Sequence, residues 1–384
     1  MRRSALKIAI VTEYYYPLIG GITENVHHTA AKLREMGHTV TIVTSRVHGT
    51  DVPPPEIPPD AAEIVRIGRS MPLYTSGSVA HVTIGMHLWR DLRDLFLRER
   101  FDIAQLHGPL VFTLPAMAVI AAKVTKCPRI GTFHTYFDGS AVYDRFRGIL
   151  QREFLDKMQA QTFVSRSCVS SLERYFTLKD PRIIPNGVDV DRFSPATPRL
   201  KRFDRSKLTL LWLGRPDPRN GLGHMLKAFE LVRRQFPEVR LVVVGRGSSR
   251  VYFDHMIPHA LQPDVHFEGA AIATRPAYYS TCDVFCSPVS KASFGITLLE
   301  AMACGKPIVA TDNVGYRDLL SPDEGILVPP DDPEAFASAV LRLLKDEQLR
   351  SEMGRAGLRR VARYSWDHVV RETVDLYEEI LRTR

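Results

Sequence analysis

Residues 7–44 read KIAIVTEYYYPLIGGITENVHHTAAKLREMGHTVTIVT, and this stretch decides the fold. The apolar, β-branched run Lys7–Thr12 predicts a strand. Ile22–Met36 carries apolar residues at helical spacing and stops at Gly37, and Thr39–Thr44 predicts a second strand. A strand, a glycine-bearing turn, a helix and a strand make a βαβ unit, whose two strands run parallel. The alternation continues outward as Glu63–Ile67 (strand), Val79–Arg98 (helix), Ile103–Leu106 (strand), Phe112–Val124 (helix) and Arg129–Phe133 (strand). The run Asp51–Asp60 holds prolines at 53, 54, 55, 58 and 59 and predicts a surface loop.

The pattern then restarts. Asn186-Gly187-Val188-Asp189 and the charged, proline-bearing stretch to Lys207 predict a linker, and Leu208–Leu213 opens a second series of strands. These follow at Arg240–Val244, Val265–Glu268, Val284–Cys286, Pro307–Ala310 and Ile326–Val328. The fold class is α/β, with two doubly wound, Rossmann-like parallel-sheet domains facing a central cleft. The expected domains are residues 1–186, residues 187–364, and a C-terminal helix, residues 365–384, that returns to the first domain. A length of 384 residues suits two such domains.

Composition narrows the class. With 45% hydrophobic and 24% charged residues the chain is neither disordered nor fibrous. No run of about 18 uncharged apolar residues occurs, so no membrane span is expected. The basic start Met1–Lys7 is followed by too short an apolar run for a signal peptide. The five cysteines, Cys127, Cys168, Cys282, Cys286 and Cys304, form no CxxC pair and read as buried apolar residues in a reducing, cytoplasmic setting. The net charge is +8, and residues 1–186 carry 23 Lys+Arg against 17 Asp+Glu. That bias fits an anionic partner, and it equally fits ordinary surface charge. No helix-turn-helix, RNA-binding or zinc-finger signature accompanies it, so no nucleic-acid partner is expected.

Three glycine-bearing turns follow predicted strands. Pro17–Glu24 holds Gly20 and Gly21 at a helix N-terminus, where backbone N–H groups can approach an anion or a sugar; glycines there also serve purely steric ends. Gly214-Arg215-Pro216-Asp217-Pro218-Arg219-Asn220-Gly221 places two guanidinium forks in a stiff loop, as a diphosphate requires. Ser293-Phe294-Gly295-Ile296-Thr297-Leu298-Leu299-Glu300 begins a helix whose free N–H groups suit phosphate, with Glu300 one turn in, placed to accept ribose hydroxyls. A further turn, Val244–Ser248, lacks the GxGxxG spacing, and no Walker A lysine motif occurs, which argues against dehydrogenase and P-loop readings.

Together these residues resemble a family 4 retaining glycosyltransferase of the two-domain GT-B type. The Gly20-Gly21 loop, Thr132-Phe133-His134-Thr135, Asn186–Asp189, Gly214-Arg215 and Ser293–Glu300 stand in that family's order over nearly the whole chain. Tyr74–Ala80 resembles the acceptor-side loop of phosphatidylinositol mannosyltransferases. The resemblance implies that Gly20 and Gly21 lie against the donor diphosphate and sugar, and that His134 contacts a sugar hydroxyl. It implies that Arg215, with Arg219 and Asn220, serves the diphosphate. Ser293, Phe294, Gly295 and Ile296 would contact phosphate and sugar, and Glu300 the ribose. From the residues alone, His134 equally suits a satisfied histidine at a strand end.

Two positions depart from the family pattern. Ala292 stands where a sugar-contacting glutamate is usual, and Asn220 where a phosphate-contacting lysine is usual. Two readings follow. In the first, a hexosyl group of mannose or glucose type passes from a GDP- or UDP-sugar to a hydroxyl acceptor, with membrane lipids such as phosphatidylinositol among the candidates. In the second, the chain is a catalytically weak or silent nucleotide-sugar-binding relative. No cofactor is expected beyond the donor substrate. No catalytic metal is expected either, since the one DxD pattern, Asp189-Val190-Asp191, falls in the predicted linker. The basic amphipathic segments Val79–Arg98 and Tyr143–Lys157 suit either an anionic membrane at the inner face or ordinary packing on a sheet.

Overall fold

A computed structural model describes residues 5–47, 63–75, 78–110, 113–245, 254–269, 271 and 273–383. The whole proline run 51–60, most of the Val244–Ser248 turn and the tip of the Tyr74–Ala80 loop lie outside the described residues. The chain divides into two compact units, Met1–Asn186 with Trp366–Arg384, and Gly187–Ser365.

The first unit holds strands β1 (Lys7–Val11), β2 (Thr39–Arg46), β3 (Glu63–Thr75), β4 (Ser78–Ile84), β5 (Ile103–His107), β6 (Arg129–Phe133), β7 (Ala160–Phe163) and β8 (Arg182–Ile183). They form one sheet in the order β4-β3-β2-β1-β5-β6-β7-β8. All pairs are parallel except β3 with β4. Ile8, Ala9, Ile10 and Val11 are fully buried, as a central parallel strand covered on both faces demands.

Where a helix was expected from Val79, the chain forms β4 through Ile84, and the helix begins only at Leu88 and runs to Glu99. The β-branched residues Val82, Thr83 and Ile84 pair with β3, and Ser70 and His81 share a 2.9 Å hydrogen bond across the ladder. Cross-strand packing overrides the helical spacing there.

The second unit holds β9 (Leu208–Leu213), β10 (Val239–Val244), β11 (Val265–Phe267), β12 (Val284–Ser287), β13 (Ile308–Thr311) and β14 (Gly325–Val328), in the order β11-β10-β9-β12-β13-β14. Each sheet therefore has a point where strand order reverses, between β1 and β5 in the first and between β9 and β12 in the second. Ligands of open α/β sheets bind beyond the strand carboxyl ends at such points.

Residues expected as a linker are instead packed into the second unit. Phe193 and Phe203 are buried, the Val188 N–H donates to the Tyr364 carbonyl (2.8 Å), and the Leu200 N–H donates to Thr281 Oγ1 (2.8 Å). The charged, proline-rich composition concealed these two anchoring rings. All five cysteines are buried and free, and burial pushes the Cys282 thiol up to about 12, which suits inert packing.

The last helix, Trp366–Arg382, packs within the first unit through Trp366, Val369, Val370, Val374 and Tyr377. The Tyr377 hydroxyl donates to Gln105 Oε1, Gln105 Nε2 donates to Thr132 Oγ1 (3.0 Å), and Thr132 bonds Thr162 (2.9 Å). Buried chains of this kind are costly to leave half satisfied. Tyr377→Phe is expected to lower the stability of this unit by about 1–3 kcal/mol, read as a shifted urea midpoint at unchanged slope.

Candidate active site

In the second unit β9 and β12 pair at Leu210↔Val284 and Leu211↔Phe285, so the loops leaving their carboxyl ends meet. The loop after β9 is braced from within and from its neighbour. Asn220 Nδ2 donates to the Arg215 carbonyl (2.7 Å), Trp212 Nε1 to the Asn220 carbonyl (3.2 Å), and the Ser290 N–H to the Arg219 carbonyl (2.9 Å). Gly221 has φ +72°, and a Cβ there would fall 2.0 Å from the Pro288 carbonyl oxygen, so only glycine lets the two loops touch. This bracing holds the backbone while the Arg215 and Arg219 side chains stay exposed. Arg215 pairs with Asp217 at 3.1 Å, a contact that an incoming anion can outcompete at an exposed site.

The loop after β12 carries exposed Lys291 and half-buried Ala292 and Ser293, then buried Phe294. Gly295 precedes the helix Ile296–Ala303, whose first turn has no side-chain cap. Glu300, the residue expected to take the ribose, is held inside the unit. Its side chain is only 2% exposed, paired with Arg275 at 2.9 Å and accepting from the Tyr279 hydroxyl at 2.8 Å. Arg275 and Tyr279 lie on the helix Arg275–Thr281, more than twenty residues away, and no spacing in the sequence points to them. The Tyr279 hydroxyl is held protonated by burial and by the adjacent carboxylate, and so acts as a fixed donor.

In the first unit the Gly20–Gly21 turn leaves β1 and starts the helix Gly21–Glu35, again without a side-chain cap. Gly20 is extended, with φ 171°, and a Cβ there would meet nothing within 4 Å. The fold itself does not require glycine at this position. His134 follows β6 and is half-buried. Its Nε2 lies 2.7 Å from Nδ1 of His107, the last residue of β5, with the rings nearly parallel. Burial pushes His134 down to about 4 and His107 well below its ordinary value. Both rings are therefore neutral near pH 7, and the one proton between them makes one nitrogen the donor and the other the acceptor. His107 escaped the sequence reading because an LH pair at a strand end carries no motif.

The pair also sets a pH dependence. Unfolded histidines protonate near 6.5, whereas the folded pair resists protonation, so the unfolded state binds more protons as pH falls below 6.5. Stability is full above that value and declines toward pH 4. Each histidine adds a slope of about 1.4 kcal/mol per pH unit within its window. Urea midpoints at pH 7 and 5 are expected to differ less in His107→Gln than in the unaltered chain.

The structure thus gathers Arg215, Arg219, Asn220 and Ser293–Glu300 in one unit, and Gly20, Gly21 and His134 in the other. Asp189 of the DxD pattern is occupied in local structure, where its Oδ1 accepts from the Asp191 and Arg192 N–H groups at 3.2 and 2.9 Å. Among the described residues no three His, Cys, Asp or Glu side chains gather as a metal site would need. Among the same residues no helix is long and apolar enough to cross a membrane.

Comparison with known proteins is consistent along the whole chain. Residues 19–192 match the model of Glycosyltransferase Family 4, and residues 196–360 that of Glycosyl transferases group 1. A phosphatidyl-myo-inositol mannosyltransferase of Mycolicibacterium smegmatis is 32% identical over 98% of this chain and 94% of its own. An alpha-monoglucosyldiacylglycerol synthase of Streptococcus pneumoniae is 26% identical over 82% of this chain and 73% of its own. A glycosyltransferase structure from Rickettsia africae superposes with a TM-score of 0.80 at 18% identity, covering 100% of both chains. Two parallel-sheet units with these matches establish the kinship, and the chain belongs to the family 4 glycosyltransferases, with the GT-B fold and hexosyltransferase activity.

Proposed function

We propose that the protein transfers a mannose- or glucose-type hexosyl group from a nucleoside-diphosphate sugar to a hydroxyl of a membrane lipid, with retention at the anomeric carbon. One observation supports the donor reading: the arginine loop is braced against Pro288 and Ser290 of the loop that leads into the Ser293–Ile296 turn, at the reversal point of the second sheet. The lipid acceptor is supported by the relatives, whose names specify phosphatidyl-myo-inositol in one case and monoglucosyldiacylglycerol in the other.

In this reading the bond from the anomeric carbon to the diphosphate oxygen breaks, and its electron pair leaves with the nucleoside diphosphate. The acceptor oxygen bonds to the same face of that carbon, and its proton passes to the departing phosphate oxygen. Arg215 and Arg219 meet the negative charge that grows on the diphosphate, together with the N–H groups of Gly295 and Ile296. No step needs a metal or a dedicated base. Phe294 and Ser293 shape the turn against the sugar and phosphate. Glu300, held in place by Arg275 and Tyr279, takes the ribose hydroxyls, since a carboxylate has about four acceptor sites. Gly20 and Gly21 give the donor close backbone approach, and neutral His134 bonds a hydroxyl of the transferred sugar.

Gly20 offers the test. Since a methyl group there meets no protein atom, Gly20→Ala is expected to change stability by less than about 1 kcal/mol. It is expected to lower transfer tenfold or more, because small displacements of a reacting group are costly. Unchanged transfer would remove Gly20 from the site. A second reading, nucleotide binding without turnover, rests on Ala292 and on Asn220, whose amide braces Arg215 and carries no charge. Tight nucleotide binding with no transfer to any of a broad panel of acceptors would establish it.

A further inference from the structure

The first unit contains an apolar pocket of about 440 Å³ that the reaction above does not use, lined by Val82, Ile84, Leu110, Phe137, Val142 and Tyr143. Its volume falls in the range typical of small-molecule sites. It lies along the same carboxyl edge of the sheet as the histidine pair. Leu110 follows β5 and His107, while Phe137 and Val142 follow β6 and His134.

The threonine and serine hydroxyls in its wall are already satisfied. The hydroxyls of Thr83 and Thr113 bond to the buried carboxyl of Glu13, which also accepts from the Leu114 N–H at 2.9 Å. Ser140 caps the helix Ala141–Glu153 by accepting from the Tyr143 N–H at 3.3 Å. An apolar guest therefore leaves few hydrogen bonds unmet in this wall.

The mouth is apolar as well. Ile84 and Val142 both line the pocket and are both about half exposed, at 50% and 51%. Met86, two residues beyond Ile84, is 93% exposed. Phe146 and Ile149 extend from Val142 at i+4 and i+7, so one stripe of the helix Ala141–Glu153 turns its apolar side to solvent. Only Tyr143 and Leu150 of that helix are buried. Ordinary packing on the sheet would have buried the stripe. The helix Leu88–Glu99 behaves in that ordinary way with Leu92, Leu95 and Phe96. Exposed Arg145 and Arg147 on the stripe's helix add positive charge beside it, complementary to an anionic phospholipid surface.

We propose that this pocket seats one acyl chain of the lipid acceptor, while the rim Ile84–Met86 and Val142–Ile149 lies in the bilayer interface. The inference rests on the lipid-acceptor reading above and adds to it a hydrocarbon subsite in the first unit. Selection would then act on the acceptor's tail as well as on its hydroxyl.

The test uses the full chain with cis-parinaric acid as a fluorescent C18 probe, and with dioleoylphosphatidylinositol and deacylated glycerophosphoinositol as paired acceptors. Val142→Arg and Ile84→Arg alter half-exposed side chains and are expected to fold. Each should weaken parinarate binding tenfold or more, while Leu97→Arg, at an exposed site outside the pocket lining, leaves it unchanged. Both pocket variants should lower kcat/KM for the dioleoyl acceptor at least tenfold and leave that for the deacylated acceptor within twofold. Parinarate binding that is not saturable at one per chain, or that survives both substitutions, overturns the pocket. Equal loss on both acceptors overturns the tail subsite, and so does parinarate binding lost with no change in dioleoyl transfer. Failure of the lipid-acceptor reading is separable, since the unaltered chain would then transfer to neither acceptor while still binding parinarate.

Discussion

Arg215→Ala is expected to lower hexosyl transfer by about 10²–10³, equivalent to roughly 2.7–4 kcal/mol of lost transition-state stabilisation. The guanidinium is exposed on a loop whose backbone is fixed by Asn220, Trp212 and Ser290, so its removal should leave the fold unchanged. Charge on the diphosphate grows as the glycosidic bond breaks, so the loss should appear mainly in kcat, with a smaller rise in KM. Arg215→Lys keeps the charge and loses the fork, and should recover only part of the rate. A melting temperature unchanged with kcat reduced a hundredfold would match this account, whereas a purely KM effect would assign Arg215 to ground-state binding.

Glu300→Ala should have the largest effect on stability. It leaves the Arg275 guanidinium, 14% exposed, without its carboxylate partner, and breaking one side of a buried pair typically costs about 3–5 kcal/mol. Tyr279 loses its acceptor at the same time. The double variant Arg275→Met with Glu300→Ala should recover much of that loss, because no buried charge remains. Urea denaturation of the four proteins of this cycle measures the coupling. Transfer would remain low in the double variant if Glu300 also holds the ribose, which separates its structural role from its role toward the donor.

Much of the fold was legible because parallel strands buried on both faces leave continuous apolar runs. Lys7–Val11, Leu208–Leu213 and Val239–Val244 are such runs, and the glycine turns beside them marked where loops leave the sheet. What remained illegible depended on contacts between residues distant in sequence. Val82–Ile84 became a strand because β3 was there to pair with it. Phe193 and Phe203 anchor a segment whose composition reads as a linker. In the candidate site, Arg215, Arg219 and the Ser293–Ile296 turn carried local signals of their own. The confinement of Glu300 by Arg275 and Tyr279, and of His134 by His107, came only from tertiary packing. Hydrophobic spacing likewise read Tyr143–Lys157 as amphipathic, without showing that the helix starts at Ala141, ends at Glu153 and turns Val142, Phe146 and Ile149 outward.

The most direct test of the donor-site assignment is thermal stabilisation by a panel of nucleotides and nucleoside-diphosphate sugars. It would be run on the unaltered chain and on Arg215→Ala and Ala292→Glu. A ligand that binds only the folded state raises its stability by about 2.7 kcal/mol at a hundred times its Kd. A selective shift with one base and its hexose conjugate is expected in the unaltered chain, reduced in Arg215→Ala. A shift seen only after Ala292→Glu would mean that the site has lost its donor. No shift in any of the three proteins would contradict the placement of the donor on the arginine loop and the Ser293–Ile296 turn.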